Sequence, residues 1–347
     1  MRAVVLKDFG GVENLADMEW PEPSPQEGEV KIRVRVASVN PTDYKARKGG
    51  NEGKTPLVLG RDVAGLIDSV GRGVRGFKPG DEVMAYLPRF GEDGGNGYAE
   101  FVCVPEEFVV HKPRKLSFAE AAAVPLVALT AYEAVVMKAR FDKGDSAFVA
   151  GASGGVGTLA VQMLRHLGAS PILATAGSET SAAYLREKLG IQAGHIVRYG
   201  GLSVEEVAAK VQAANGGNRV KVAVDLVGRD MKRVCLRVVD YWGHVASIAS
   251  DPNNPIPQIF TTQPEGLFWK SCSFHAVFLR TPVRGGGRPY FAQFKKNLLH
   301  IREWLETGAL KPPQVTEVGP LNAQNVGRAH LMLEEGHTQG KLVLSVG

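Results

Sequence analysis

The spacing of apolar residues divides the chain into two parts with different periods. Up to about residue 125, short runs alternate between apolar and polar residues, as in Val30–Val39 (VKIRVRVASV), which is typical of β-strands. The pattern predicts further strands at Met1–Leu6, Val63–Val70, Glu82–Tyr86, Gly97–Val104 and Phe108–His111. We therefore expect a β-rich, partly barrel-like module at the start of the chain.

From Phe118 the apolar residues take helical spacing, interrupted by Pro125, and strands then alternate with helices. Strands are predicted at 145–151, 171–176, 195–199, 220–227 and 243–249, with a last strand at Ser273–Leu279. Helices are predicted at 155–168, 180–189, 203–214 and 231–240. This alternation predicts an α/β fold with a doubly wound parallel sheet.

The last 60 or so residues do not continue this alternation. After a glycine-rich link at Gly285–Gly287, the pattern predicts helices at Tyr290–Glu306 and Asn325–Glu335, and strands at Val315–Val318 and Lys341–Val346. We expect this segment to pack back on the first module. The predicted domains are therefore 1–125 with 285–347, and 126–284.

A glycine-rich turn gives the α/β part its candidate chemistry. The apolar run Ala147–Ala150 leads into Gly151, Gly154 and Gly157, and an amphipathic helix follows. Glycines let the backbone approach a ligand closely, and a helix N-terminus offers free N–H groups to a phosphate. The turn predicts a dinucleotide site; the alternative is a strand-to-helix loop with no ligand.

Composition excludes several classes of function. The net charge is +5, and the basic residues are scattered, so we do not expect nucleic-acid binding. The positive field could attract an anionic cofactor or simply belong to a solvated surface. Three distant cysteines argue against a disulfide framework and favour a reducing compartment. With no signal peptide and no run of transmembrane length visible, we expect a cytoplasmic protein without a membrane span.

Several motifs together resemble the zinc-free quinone oxidoreductases and enoyl reductases of the medium-chain dehydrogenase/reductase superfamily, the zeta-crystallin-like branch. They are SVNPTDYKARKGG (38–50), LGRDVAGLIDSVGRGVRGFKPGDEV (59–83), GYAEFVCVP (97–105), AAAVPLVALTAYEAV (121–135), GASGGVG (151–157), VDLVG (224–228) and GKLVL (340–344). The resemblance implies a discontinuous GroES-like catalytic domain, a Rossmann NADP-binding domain, an active site in the cleft between them, and a homodimer. The exposed edge of the last sheet strand could support such a dimer.

Zinc alcohol dehydrogenases of this superfamily have a Cys at the position of Asn40 and a His-Glu pair at Arg61-Asp62. The cysteines and histidines elsewhere show no ligand spacing. We therefore expect no metal, which disfavours reversible alcohol oxidation because no Lewis acid polarises the substrate oxygen.

The glycine turn assigns cofactor contacts to Ser153, Gly154, Gly155 and Val156. No acid occupies 175–178 at the tip of the next strand, where an NAD site normally has one, so the sequence favours NADPH. Ser178 could bind the 2′-phosphate, cap the following helix, or do both. By resemblance, Tyr199 flanks that phosphate, and Arg198 could complete the clamp.

By resemblance, the nicotinamide end contacts the following residues: Asn40, Thr130, Val227, Ile248 and Lys341. Asn40 and Thr130 could instead serve only turn and helix hydrogen bonding, and Lys341 could be a surface lysine that starts a strand.

Hydride transfer to an activated alkene places negative charge on a carbonyl oxygen, which needs a donor or cation. Lys45 is the first candidate and Tyr44 the second; both could instead lie on an exposed helical turn. The loop at 87–97 is predicted to shape substrate access, and Phe90, Trp269 and Phe274 could line an apolar pocket or belong to the core.

The sequence thus predicts an NADPH-dependent, zinc-independent reductase that transfers hydride to a quinone or to the C=C bond of an α,β-unsaturated carbonyl. Its expected partner is a small hydrophobic electrophile. The alternatives are a non-enzymatic NADPH-binding protein with a structural or regulatory role, and a zinc alcohol dehydrogenase.

Overall fold

Antiparallel strands build the first part of the chain in the computed structural model, which describes residues 1–49, 54–88, 97–250, 263–280, 283, 287–336 and 338–347. β1 (Arg2–Leu6) pairs with β2 (Leu15–Glu19) and β4 (Leu57–Val58). A larger sheet contains β3 (Glu29–Val39), β5 (Asp62–Val70), β6 (Glu82–Tyr86), β7 (Phe101–Pro105) and β8 (Val109–His111). β2 and β4 are missing from the sequence prediction because neither shows an alternating pattern.

Three helices belong to this part and to its end: α1 (Pro41–Arg47), α2 (Phe118–Ala122) and α3 (Pro125–Tyr132). The predicted interruption at Pro125 is confirmed, because this residue begins α3, where a missing N–H costs nothing. A π-helical segment, Glu133–Lys138, continues α3.

Six parallel strands form the sheet predicted for the α/β part. They are β9 (Ala147–Ala150), β10 (Ile172–Ala176), β11 (Ile196–Arg198), β12 (Val220–Asp225), β13 (Val239–Ser247) and β14 (Ser273–Ala276). The spatial order is β11-β10-β9-β12-β13-β14, so the chain starts in the middle and winds outward in both directions. This order is that of a Rossmann fold and confirms the predicted fold class.

The helices between these strands are α4 (Gly155–His166), α5 (Glu179–Glu187), α6 (Val204–Ala214) and α7 (Asp230–Val238). On one face of the sheet, α6 and α7 bury Val207, Val211 and Val234 against Phe148 and Val245. Phe274 packs partly against this core, whereas Trp269 is 67% exposed. Phe90 lies outside the described residues.

The end of the chain packs back on the first part, as predicted, by joining its larger sheet. β15 (Val315–Pro320) pairs with β16 (Lys341–Ser345), and β16 pairs antiparallel with β3. Two helices accompany them, α8 (Phe291–Thr307) and α9 (Ala323–Glu334). The described chain divides into two compact units, Met1–Leu129 with Arg280–Gly347, and Thr130–Leu279.

Candidate active site

The glycine turn joins the carboxyl end of β9 to α4. Gly151 has a φ of +81°, and a Cβ there would lie 2.8 Å from Val227 Cγ2. A Cβ on Gly157 would lie 2.3 Å from the carbonyl oxygen of Gly151, so this position needs glycine for close packing of the helix on the turn.

Gly154 is different, because the nearest neighbour of an added Cβ would be the Gly151 carbonyl oxygen, 3.6 Å away. Ser153, Gly154, Gly155 and Val156 are all partly exposed. The first helical hydrogen bond of α4 runs from the Thr158 amide to the Gly154 carbonyl, at 2.8 Å. The amides that precede Thr158 in this helix therefore have no acceptor one turn earlier within it. Open space beside a helix N-terminus fits the phosphates of a dinucleotide.

At the tip of β10, Ser178 and Tyr199 come close to the same glycine. A Cβ on Gly177 would lie 2.8 Å from the Tyr199 hydroxyl. The Ser178 hydroxyl accepts a hydrogen bond of 3.1 Å from the Ser181 amide, so Ser178 caps α5. Ser178 remains exposed, and this cap leaves it accessible to a ligand.

Arg198 is already engaged beside this tip. Its guanidinium donates to Glu179 at 2.6 Å, and Arg186 pairs with the same carboxylate at 3.0 Å. Arg198 would have to leave Glu179 in order to complete a phosphate clamp.

Asp225 holds the turn that contains Val227, a role that the sequence analysis missed. Its Oδ1 accepts hydrogen bonds from the amides of Val227 and Gly228 at 3.1 and 2.7 Å, and its Oδ2 accepts from the Ser247 hydroxyl at 2.6 Å. Val227 is 49% exposed and Ile248 is half-buried. Both lie at the carboxyl ends of their strands, the edge at which ligands bind in open α/β sheets.

Asn40, Asp62 and Lys341 form a buried polar cluster in the first unit. Asn40 Nδ2 donates to Asp62 Oδ2 at 2.9 Å, and the Lys341 ammonium donates to Asn40 Oδ1 and, at 3.0 Å, to the Val39 carbonyl. Lys341 Nζ also lies 3.9 Å from Asp62 Oδ2. Asp62 accepts further hydrogen bonds from the Ser38 hydroxyl and the Leu126 amide.

Lys341 is 4% exposed, so it is not a surface lysine. Burial lowers its pKa, and the charge of Asp62 opposes this shift. Burial raises the pKa of Asp62, and Lys341 opposes that shift in turn. Each ionised group is therefore stabilised chiefly by the other, because neither reaches water.

The side chains of α1 fall into a buried group and an accessible group. Asp43 and Arg47, one turn apart, are buried, whereas Tyr44 is half-buried and Lys45 is exposed. Asp43 Oδ2 accepts a hydrogen bond of 2.8 Å from the Asn40 amide, so it orients the start of the helix. Burial raises the pKa of Tyr44, and the charge of Glu334 adds to the shift.

Burial also raises the pKa of Asp43 to about 6, although the charge of Arg61 opposes the shift. Tyr98 donates to Asp43, and His330 and Arg47 continue this series of buried hydrogen bonds, which the sequence did not predict. Their only sequence signal is a polar residue at an otherwise apolar position, which does not reveal a partner far along the chain. Thr130, in α3 of the second unit, is 8% exposed.

Within the described ranges, no group of three or more His, Cys, Asp or Glu side chains has an arrangement suited to a metal ion. Of the helices in those ranges, none combines the length and the apolarity needed to cross a membrane.

Two family models match the chain, one to each kind of structure described above. Residues 26–114 match the alcohol dehydrogenase GroES-like domain, and residues 155–289 match the zinc-binding dehydrogenase domain.

Among curated proteins, the chain is 33% identical to a 2-methylene-furan-3-one reductase of Solanum lycopersicum, over 99% of this chain and 79% of the relative. It is 30% identical, with the same coverage, to a chloroplastic NADPH-dependent alkenal/one oxidoreductase of Arabidopsis thaliana. Among solved structures, an NAD-dependent alcohol dehydrogenase superposes with a TM-score of 0.83 at 32% identity, covering 100% of both chains.

The fold and these matches identify the chain as an oxidoreductase with a GroES-like domain and a Rossmann-like domain. It belongs to the medium-chain dehydrogenase/reductase superfamily, in the branch of the quinone oxidoreductases and enoyl reductases.

Proposed function

We propose that this protein is an NADPH-dependent, zinc-independent reductase that transfers hydride to the C=C bond of an α,β-unsaturated carbonyl or to a quinone. Two relatives matched over 99% of the chain are named as reductases or oxidoreductases of such substrates, and one name specifies NADPH. When bound, the nicotinamide supplies the hydride, and the chain's own residues bind and orient the reactants.

The observation that best supports zinc independence is the bond between Asn40 and Asp62. By resemblance, these positions correspond to zinc ligands in the metal-dependent relatives. Here the Asp62 carboxylate accepts from Asn40 at 2.9 Å, and Lys341 provides a cation beside both residues. A neutral amide is not among the usual zinc ligands, and a carboxylate already paired with an ammonium gains less from a metal.

Cofactor preference rests on the tip of β10. NADPH is favoured because the exposed Ser178 replaces the acid that would repel a 2′-phosphate, and the Tyr199 hydroxyl lies beside the adjacent Gly177. Glu179, which follows Ser178, is neutralised by Arg186 and Arg198. We assign the remaining cofactor contacts to Asn40, Thr130, Ser153, Gly154, Gly155, Val156, Val227, Ile248 and Lys341.

At the reacting end, we assign Lys45 as the group that stabilises the developing enolate, with Tyr44 as the second candidate. Lys45 is exposed, and in the described part of the chain no hydrogen bond or ion pair holds its side chain. A mobile ammonium on a short helix can approach a carbonyl oxygen once substrate is bound. Lys48, whose ammonium pairs with Glu334, is the matched control: Lys45→Met should lower kcat, and Lys48→Met should not.

We further propose that residues 1–125 with 285–347 form the catalytic domain and that 126–284 bind the cofactor. We also propose a cytoplasmic homodimer. β14 ends the order of the six-stranded sheet, which supports pairing with a second copy, and the three cysteines are free thiols, which suits a reducing compartment.

The function is tested by steady-state oxidation of NADPH after exhaustive dialysis against EDTA, with three acceptor classes: enones, enoyl thioesters and quinones. We expect turnover with at least one class, undiminished by the chelator. Tight NADPH binding without turnover of any acceptor would overturn the proposal and favour a non-enzymatic role.

One observation supports a second candidate, an alcohol dehydrogenase. The solved structure that covers the whole chain at 32% identity is named as an NAD-dependent alcohol dehydrogenase. Stoichiometric zinc by elemental analysis, together with NAD-dependent oxidation of alcohols, would establish this candidate in place of the first.

A further inference from the structure

A chain of hydrogen bonds leaves α1 at one residue and returns to it at another. Arg47 Nε donates to His330 Nδ1 at 3.3 Å, His330 Nε2 lies 3.4 Å from the Tyr98 hydroxyl, and that hydroxyl donates to Asp43 Oδ2 at 3.2 Å. Asp43 and Arg47 lie one helical turn apart, so they point from the same face of α1.

The direction of each bond follows from chemistry. A guanidinium can only donate, so His330 Nδ1 must offer a lone pair and the imidazole proton must lie on Nε2. His330 then donates to the Tyr98 oxygen, and Tyr98 donates its own proton to Asp43. This order requires a neutral imidazole, and burial together with the charge of Arg47 lowers the pKa of His330 to about 3.

All four residues of this series of hydrogen bonds are buried. The relative exposure is 0% for Asp43, Tyr98 and His330, and 1% for Arg47. The guanidinium also binds the Gly10 carbonyl and Glu334, so every part of it has a partner. A buried polar group that loses its partner cannot bond to water instead. Breaking one of these bonds therefore destabilises all of the hydrogen-bond network formed by Arg47, His330, Tyr98 and Asp43.

We propose that Arg47, His330 and Tyr98 are positioning residues that fix the rotation and the location of α1, and thereby aim Tyr44 and Lys45 at the substrate. The proposal rests on the proposed function, because it concerns the helix that bears the assigned catalytic side chains. α1 has only seven residues and buries one apolar side chain, Ala46, so apolar packing alone would hold it weakly.

The test is a double-mutant cycle between Tyr98→Phe and Arg47→Lys in the full-length protein. Tyr98→Phe removes a single hydroxyl, and Arg47→Lys keeps the charge but cannot reproduce the forked geometry. The first readout is hydrogen–deuterium exchange of the backbone amides over residues 41–48. The second is the pair kcat and KM for NADPH.

We expect each single variant to speed exchange in α1 by about tenfold and to lower kcat by a similar factor, with KM for NADPH changed less than about twofold. Because either single substitution already breaks the hydrogen-bond network, the double variant should show little further change. Tyr184→Phe is the control: this buried hydroxyl bonds to Thr158 at 3.0 Å in the second unit, and its loss should leave α1 exchange unchanged.

Additive effects in the cycle, unchanged exchange over 41–48, or an equal effect of Tyr184→Phe would overturn the proposal. The exchange readout does not need turnover. If the wild-type protein reduces no acceptor, the proposed function fails. The exchange measurements of the double-mutant cycle still decide whether the hydrogen-bond network holds α1 in place.

Discussion

Asn40 Nδ2 donates a hydrogen bond of 2.9 Å to Asp62 Oδ2, so two side chains at the positions of zinc ligands in related dehydrogenases bind each other. The Lys341 ammonium completes this arrangement by donating to Asn40 and lying 3.9 Å from Asp62. The cluster therefore contains its own cation, because the Lys341 ammonium lies beside the Asp62 carboxylate.

The first prediction concerns the stability of this cluster. Lys341→Met should lower the free energy of unfolding by about 3–5 kcal/mol, because it leaves the buried Asp62 carboxylate without its cation. Adding Asp62→Asn should recover part of that loss, because the uncompensated charge disappears. Urea denaturation measures both values.

Lys188→Met, on an exposed turn after α5, is the matched control and should change the stability by less than about 0.5 kcal/mol. Costs that simply add for Lys341→Met and Asp62→Asn would show that the two groups are not coupled.

The second prediction concerns pH. The pKa of Asp43 rises from 3.8 in the reference state to about 6 in the fold, so between these values the folded state binds more protons than the unfolded state. Stability contributed by this group is therefore present at low pH and is lost as pH rises through 6, by up to about 3 kcal/mol. Asp43→Asn removes this titration.

We therefore expect Asp43→Asn to be markedly less destabilising at about pH 7.5 than at about pH 4.5, as measured by urea denaturation across that range. Equal destabilisation at both ends would mean that the Asp43 carboxyl titrates in the fold as it does in the unfolded chain.

The third prediction separates packing from ligand contact in the glycine turn. Gly157→Ala should destabilise the fold by about 1–3 kcal/mol or more, because its Cβ would overlap the Gly151 carbonyl. Gly154→Ala has room, because the nearest neighbour of the new Cβ would lie 3.6 Å away, and this variant should fold normally. It should nevertheless weaken NADPH binding by about tenfold, because the new methyl group occupies the space next to the amides.

Fluorescence titration with NADPH, alongside thermal unfolding, checks this pair. Wild-type affinity in Gly154→Ala would place the phosphates elsewhere.

The fourth prediction concerns cofactor choice. Ser178→Asp keeps a good cap for α5 but places a negative charge beside Gly177. The dissociation constant for NADPH should increase by about tenfold or more, while that for NADH changes little. An equal loss for both cofactors in direct binding measurements would show that Ser178 does not contact the 2′-phosphate.

The architecture could be predicted because each of its signals is local. Val220–Asp225 is apolar enough to predict a buried strand, and the glycines at 151, 154 and 157 lie close together in the chain. The order of the parallel strands then follows from strand–helix alternation. β2 escaped prediction because Leu15–Glu19 lacks alternation. α1 was predicted only as an alternative, a helical turn at Tyr44 and Lys45, because seven residues are too few to show a helical period.

The polar interior could not be predicted for the opposite reason. Arg47 and His330 are 283 positions apart, and Lys341 and Asn40 are 301 apart. Helical spacing places His330 on the buried face of α9, but it does not reveal which partner the imidazole contacts. The resemblance indicated Lys341 but gave no reason to expect that Asn40 holds its ammonium.

The proposed reaction is hydride transfer to an activated alkene without a metal ion. It is tested most directly by incubating the EDTA-treated protein with but-3-en-2-one and NADPH deuterated at the transferable C4 position, followed by NMR of the product. We expect butan-2-one with deuterium on the carbon that was β to the carbonyl. An allylic alcohol with deuterium on the former carbonyl carbon, formed only when zinc is restored, would contradict it.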